Sequence, residues 1–245
     1  MKCLILAAGY ATRLYPITEN IPKPLLMVGE KTILDWLIDD IDSAKMVDEY
    51  VVISNHKYAY HFENWAKTKA QKITVVDDGT STNETRLGAV KDIQFAIEKL
   101  GIDDDILVIA GDNVLDFSLT KFVNYAKEKK TSCIMRYYEP ETKKLTKCGV
   151  VTIDENDKIL DMAEKPANPA THWCCPPFYY YSKADAKLVQ KGIESGCGTD
   201  APGSYIAWLC NQTTVHAMEM PGKRYDIGNL ESYEQVKAEY KGITR

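Results

Sequence analysis

The sequence predicts an α/β protein: a three-layer α/β/α sandwich on a Rossmann-like, mostly parallel sheet, with a small β-rich lobe after it. Three observations predict it. Apolar, β-branched runs alternate with amphipathic segments of helical period through about residue 135. Those runs are apolar on both faces, as strands covered by helices on either side must be. After about residue 140 the pattern changes to short strands separated by turn-forming residues.

Taken in order, residues 3–8 read as a first strand, followed by a Gly/Thr/Pro-rich loop to Pro24. Residues 33–41 read as a helix, with apolar side chains at 33, 34, 37, 38 and 41. The alternation continues with strands at 49–54, 73–76, 106–110 and 132–137 and helices at 58–70, 87–100 and 119–128. Residues 149–153 and 158–162 flank Asp154-Glu155-Asn156-Asp157 and read as a hairpin. Strands at 178–181 and 213–218, helices at 184–191 and 205–210, and a closing helix at 230–240 complete the chain. With no repeat and no linker-like tract, one domain is expected. Residues 1–135 would bind a ligand beyond the C-terminal strand ends, 136–228 would contact a second substrate, and 229–245 would close the fold.

The 245 residues carry 30 Lys and Arg against 35 Asp and Glu, a net charge of −5. That length supports a core without staples. The acidic balance argues against nucleic acid as a partner, because phosphate-backbone affinity needs clustered cations. No apolar run reaches the ~20 residues of a membrane span, and the apolar start is too short for a signal peptide, so a cytoplasmic protein is expected. Seven scattered cysteines with no C-x-x-C pair argue against a disulfide framework or zinc knuckle, so free buried thiols are expected.

The first loop carries the strongest chemical signal. It reads Leu6-Ala7-Ala8-Gly9-Tyr10-Ala11-Thr12-Arg13-Leu14, then Pro16, Thr18 and Pro22-Lys23-Pro24-Leu25-Leu26. Small residues after a strand let backbone N–H groups approach an anion, and Arg13 and Lys23 add two cations. The loop matches neither the G-x-x-x-x-G-K-[ST] phosphate loop nor the G-x-G-x-x-G dinucleotide fingerprint.

This segment resembles the signature of the sugar-phosphate nucleotidyltransferase family, L-A-A-G-x-G-T-R-L-x-P-x-T-x-x-x-P-K-P-L-L. Ala11 stands where the family has Gly, which implies either negative φ there or less room beside the triphosphate. The resemblance continues through Ala110-Gly111-Asp112-Asn113, Cys148-Gly149-Val150-Val151, Glu164-Lys165-Pro166 and Arg224-Tyr225-Asp226-Ile227-Gly228. The last resembles W-x-D-x-G with Arg in the Trp place. The resemblance implies Mg²⁺ held by Asp112 and Asp226, and catalytic roles for Arg13, Lys23 and Lys165. It implies nucleotide contacts from Leu6, Ala8, Gly9, Tyr10, Ala11, Thr12, Gly88 and Gly111, with Arg86 in a place for a base or phosphate contact, and acceptor contacts from Gly149 and Glu164. Trp173 and Tyr179 are acceptor candidates as part of an aromatic wall, where the sequence departs from the family's T-G-x-Y-x-Y. Assembly as a homo-oligomer is also implied, with no nucleic acid or membrane partner.

The implied reaction, NTP plus a phosphorylated acceptor giving an NDP-acceptor and pyrophosphate, suits these residue types. A phosphate monoester is largely dianionic at neutral pH and needs no base; the obstacle is charge repulsion, met by cations and carboxylate-held Mg²⁺. The four histidines are then not required. For substrates, dTTP or UTP with a hexose 1-phosphate is the first expectation and CTP with phosphocholine or a phosphonate the second. In Trp173-Cys174-Cys175-Pro176-Pro177, prolines replace N–H donors, while Trp173, Tyr179 and Tyr181 offer an aromatic wall suited to a quaternary ammonium. A catalytically idle nucleotide-sensing subunit is the rival of another class. As carboxylates at strand ends, Asp112 and Asp226 are expected to add little to stability.

Overall fold

A computed structural model describes residues 1–244. In chain order its elements are β1 (Lys2–Leu6), β2 (Met27–Val28), β3 (Lys31–Thr32), α1 (Ile33–Ser43), β4 (Glu49–Ser54), α2 (His56–Ala66), β5 (Ile73–Asp77), α3 (Ala89–Leu100), β6 (Ile106–Ala110) and β7 (Asn113–Leu115). There follow α4 (Thr120–Lys129), β8 (Ser132–Tyr138), α5 (Thr142–Leu145), β9 (Gly149–Ile153), β10 (Ile159–Glu164), β11 (Trp173–Cys175), β12 (Phe178–Tyr181), α6 (Lys183–Ala186), α7 (Val189–Glu194), α8 (Gly203–Leu209), β13 (Val215–Glu219), β14 (Arg224–Asp226) and α9 (Leu230–Glu239). The chain divides into two compact units that interleave along the sequence. The first comprises residues 1–86, 110–120 and 221–245, and the second residues 87–109 and 121–220.

In the first unit β1 pairs in parallel with β4, and β4 with β5, from Lys2↔Glu49 through Ser54↔Asp77. These are the expected parallel strands: Leu4, Ile5, Val51, Val52 and Ile53 are all fully buried. Thr32 and Asp35 close a capping box at the start of α1, which buries Ile33, Leu34, Leu37, Ile38 and Ile41 along one stripe. Asn55 caps α2 by accepting from the Tyr58 N–H, while its Nδ2 donates to the Ala8 carbonyl at 2.9 Å. The β4–α2 corner is thereby tied to the loop after β1. The antiparallel pair β7–β14 was not expected from the sequence, and its register sets Asp226 opposite Asn113.

The loop after β1 is built of three 3₁₀ turns, at Thr12–Leu14, Ile17–Glu19 and Lys23–Leu25. Its departure from the family pattern is now specified: Ala11 has φ 47° and ψ 41°, so its backbone is left-handed and not at negative φ. The conformation is held by the Ala11 carbonyl, which accepts from the Leu14 N–H at 2.9 Å and the Thr18 hydroxyl at 2.9 Å. A left-handed alanine costs about 1–2 kcal/mol, and glycine returns part of that as unfolded-state entropy. Ala11→Gly is therefore expected to stabilise the protein by about 0.5–1 kcal/mol in urea unfolding. A loss of stability would show that the methyl group packs more than it strains.

In the second unit the strand order is β10-β9-β11-β8-β12-β6, with β13 parallel on β8. Its pairings are otherwise antiparallel. The expected hairpin is β9–β10, and β11, three residues long and preceding two prolines, is an additional strand. The expected helix at 184–191 is divided into α6 and α7, because Leu188 N–H reaches back three residues to the Asp185 carbonyl at 3.0 Å and tightens the turn. Cys148 and Cys174 are joined as a disulfide, which corrects the expectation of free thiols at those two positions. Cys3, Cys133, Cys175, Cys197 and Cys210 lie outside that disulfide. Among the described residues no helix is long and apolar enough to cross a membrane.

Candidate active site

In the first unit the polar residues gather where β1 ends. The Gly111 N–H donates to the Leu6 carbonyl at 3.0 Å. A Cβ on Gly111 would stand 2.9 Å from Ile5 Cγ2, so only glycine lets the chain pass this close before presenting Asp112. Lys23, on the third 3₁₀ turn, is only 8% exposed, and its Nζ donates to Asp112 Oδ2 at 2.7 Å. Desolvation raises the Asp112 carboxyl, but the neighbouring Lys23 ammonium and, more weakly, Arg224 bring it below its ordinary value. Asn113 Nδ2 donates to Asp112 Oδ1 at 3.0 Å, and Arg224 Nη1 donates to Asn113 Oδ1 at 2.8 Å. Asp226, mostly exposed, lies 3.9 Å from Arg224 Nη1.

These residues include four of the sequence-predicted set, Leu6, Lys23, Gly111 and Asp112, with Asp226 on the strand paired to β7. Arg13 is exposed on the first 3₁₀ turn with Thr12, and Gly9 has open space where a Cβ would stand. Tyr10 is turned inward: it is 5% exposed and its hydroxyl donates to the Thr80 carbonyl at 3.2 Å. Arg86 folds onto its own turn, donating to the Asn83 carbonyl at 3.0 Å. Asn113 and Arg224 carried no expected role, and only their hydrogen bonds reveal them.

Two carboxylates in this setting fit a magnesium ion that takes its remaining ligands from phosphate oxygens and water. No group of three or more His, Cys, Asp or Glu among the described residues could hold a metal by itself.

The parallel strands carry one further ionic contact at their C-terminal ends. His56 Nδ1 lies 2.6 Å from Asp77 Oδ2, and this hydrogen bond raises the imidazole pKa. Below its unfolded-state value near 6.5 the pair contributes its full stabilisation, which is lost as pH rises through the higher folded value. The NMR titration midpoint of His56 is therefore expected above 6.5 and should fall back toward it in Asp77→Asn. An unshifted midpoint would remove the pair from consideration.

In the second unit Glu164, Lys165 and Gly149 come together. Lys165 has φ 49°, its N–H donates to the Cys148 carbonyl at 3.0 Å, and its Nζ lies 3.9 Å from Asp200 Oδ2. A lysine held left-handed is a strained residue of the kind that marks functional loops. A Cβ on Gly203 would overlap Glu164 Oε2, and one on Gly149 would stand 3.0 Å from it, so two glycines make room for this carboxylate. Desolvation raises the Glu164 carboxyl, Lys165 lowers it in part, and Asp200 raises it further. Glu164 lines an open surface depression of about 310 Å³ with Cys197, Ser204 and Trp208. Gly88, at φ 93°, caps α3 where a Cβ would stand 2.5 Å from the Thr199 carbonyl oxygen.

The aromatic wall is not formed. Tyr179 and Tyr181 are 3% and 0% exposed and pack against each other within the unit's core. Trp173 lies 4.5 Å beneath the Arg136 guanidinium, with Tyr138 against its edge. Tyrosines two apart on one strand share a face, and here that face is interior.

A family model described as nucleotidyl transferase matches residues 2–242. Among curated proteins, the bifunctional protein GlmU of Methanocaldococcus jannaschii is 29% identical over 93% of this chain and 51% of its own length. A UTP–glucose-1-phosphate uridylyltransferase of Synechocystis is 29% identical over 96% of this chain and 62% of its own. The UTP–glucose-1-phosphate uridylyltransferase AglF of Haloferax volcanii is 25% identical over 97% and 95%. The chain thus spans about half to three-fifths of the first two of these relatives. Among solved structures, a UDP-glucose pyrophosphorylase complexed with UDP-glucose shares the mixed α/β fold with a TM-score of 0.79, at 20% identity over 97% of both chains. With the family model covering the chain nearly end to end, the protein belongs to the nucleotidyl transferase family.

Proposed function

We propose that this protein transfers a nucleoside monophosphate from dTTP or UTP to a sugar 1-phosphate, releasing pyrophosphate, with Mg²⁺ as cofactor. The observation that carries the reading is the Lys23–Asp112 pair at 2.7 Å, seated behind Gly111 at the end of β1 and joined through Asn113 to Arg224. It sets a nearly buried cation beside a carboxylate suited to a metal, which is what two mutually repelling phosphates need. Bound Mg²⁺ would supply charge neutralisation on the triphosphate, held by Asp112 and Asp226. Lys23 then sits where negative charge develops as the phosphates approach, while Arg13 binds the departing pyrophosphate. Lys165 holds the attacking phosphate, and open space at Gly9 leaves backbone N–H groups accessible to the nucleotide. No side chain needs to remove a proton, because the acceptor phosphate arrives ionised. The Synechocystis and Haloferax relatives, both named as UTP–glucose-1-phosphate uridylyltransferases, support UTP and a glucose phosphate.

A cationic acceptor such as phosphocholine is the second reading. It rests on Glu164 and Trp208 lining one open depression, an acidic and an aromatic residue of the kinds that suit an ammonium group. One experiment separates the readings: pyrophosphate release from each common NTP against a panel of sugar 1-phosphates and phosphocholine. Turnover with UTP or dTTP and a hexose 1-phosphate supports the first, and CTP with phosphocholine the second. No release from any pair would indicate a nucleotide-sensing subunit and overturn both.

A further inference from the structure

Asn113 and Arg224 are not substrate contacts in the reading above, yet they stand between its two carboxylates. Asn113 is 2% exposed on β7, and β14 sets Asp226 directly across from it. Its Nδ2 donates both to the Ala110 carbonyl at 3.2 Å and to Asp112 Oδ1 at 3.0 Å. Its Oδ1 accepts from Arg224 Nη1 at 2.8 Å. With Lys23 on Asp112 Oδ2 at 2.7 Å, both oxygens of the carboxylate are gripped from different directions.

A primary amide has two ends of nearly equal shape and opposite hydrogen-bonding sense. Reversed, the oxygen of the buried Asn113 amide would face the Ala110 carbonyl and the Asp112 carboxylate, giving two acceptor–acceptor contacts. Those two acceptors favour the working orientation, and the Arg224 guanidinium, which has no acceptor, adds to it by donating to Oδ1 and anchoring the amide from its other end. We propose that Arg224 is a positioning residue: it fixes the Asn113 amide with its N–H toward Asp112, and so holds the Asp112 carboxylate ready for a divalent cation. The inference rests on the metal assignment to Asp112 and Asp226 made above. It concerns a feature of this chain, since Arg224 stands where the family motif has Trp. The same residue balances charge, because Lys23 and Arg224 match Asp112 and Asp226 before any metal binds.

The test is a titration of the full chain with Mn²⁺ alone, following the free ion by electron paramagnetic resonance, with circular dichroism to verify folding. Residues that orient a metal ligand typically change metal affinity by about 10–100-fold when removed. Arg224→Ala and Asn113→Ala should each weaken Mn²⁺ binding by that factor, and the double variant should be no weaker than either alone. Arg224→Lys, which keeps a donor facing Asn113, should recover most of the affinity. If Asn113→Ala unfolds, Asn113→Leu, of similar volume, takes its place. Unchanged affinity in the single variants would overturn the proposal, as would losses that multiply in the double variant, since Arg224 would then act independently of Asn113. Asp112→Asn in the same titration isolates the underlying reading: if it keeps full affinity, the metal assignment falls whatever Arg224 does. If pyrophosphate release is absent but Mn²⁺ binding responds as expected, the positioning role stands and the transferase reading does not.

Discussion

Asp112→Asn is expected to abolish turnover and also to destabilise the protein, whereas Asp226→Asn is expected to abolish turnover alone. An amide cannot replace a carboxylate as a magnesium ligand while supplying charge, so each substitution removes metal-bound charge neutralisation, with a loss of about 10³-fold or more. The stability effects differ because the surroundings differ. Asp112 is the counter-ion of Lys23, whose side chain is 10% exposed, and its loss leaves a nearly buried ammonium facing a neutral amide. That costs about 1–3 kcal/mol. Asp226 is 67% exposed and the Arg224 guanidinium is 3.9 Å away, so water replaces what it loses. Both carboxylates were expected from the sequence to add little to stability; their surroundings instead lead us to expect a loss for Asp112→Asn and little for Asp226→Asn. Pyrophosphate release together with urea unfolding checks both halves. Full activity in either variant would refute the metal assignment, and equal stability losses would refute the distinction between them.

Lys23→Ala is expected to have the second largest effect, lowering kcat/KM by about 10²–10³-fold with a fall in kcat itself. A preorganised cation at developing charge stabilises the transition state more than the ground state. A loss confined to KM would demote Lys23 to ground-state binding. The variant should also be more sensitive to acid. Desolvation raises the Asp112 carboxyl, but Lys23, by charge and hydrogen bond, and more weakly Arg224 outweigh it, so the folded value lies below that of the unfolded chain. Stability from this group is present above the unfolded value near 3.9 and lost as pH falls through the folded value. Without Lys23 the folded value rises, and acid unfolding should begin at higher pH than in the unchanged protein. Acid unfolding at an unchanged pH would show that the pair does not control this titration.

Much of the candidate site was legible in residue order because its parts are local. The loop from Leu6 to Leu26 is one continuous run, and Gly111 precedes Asp112 directly, so small residues and charges declare themselves without a fold. Elements with clear periodicity were legible for the same reason: β4, β6 and β12 lie at the expected residues, and α1 and α3 within two of them at either end. What failed to show was short or relational. β7 and β14 are three residues each, too brief for a period of two to register, and they matter only as a pair. Tyr179 and Tyr181 share a face by their spacing, and the fold buries it, because alternation identifies a shared face but not what covers it.

The sequence by itself determined the fold class, the family and the identity of the charged residues, since hydrophobic period and contiguous motif depend only on neighbours along the chain. Only the tertiary structure decided that the units interleave, that Asp112 answers to Lys23 across 89 positions, and that Arg224 reaches Asn113 across 111. The physical reason is that a charge acquires its energetic meaning from its burial and its partner, and both are set by packing between segments distant in sequence.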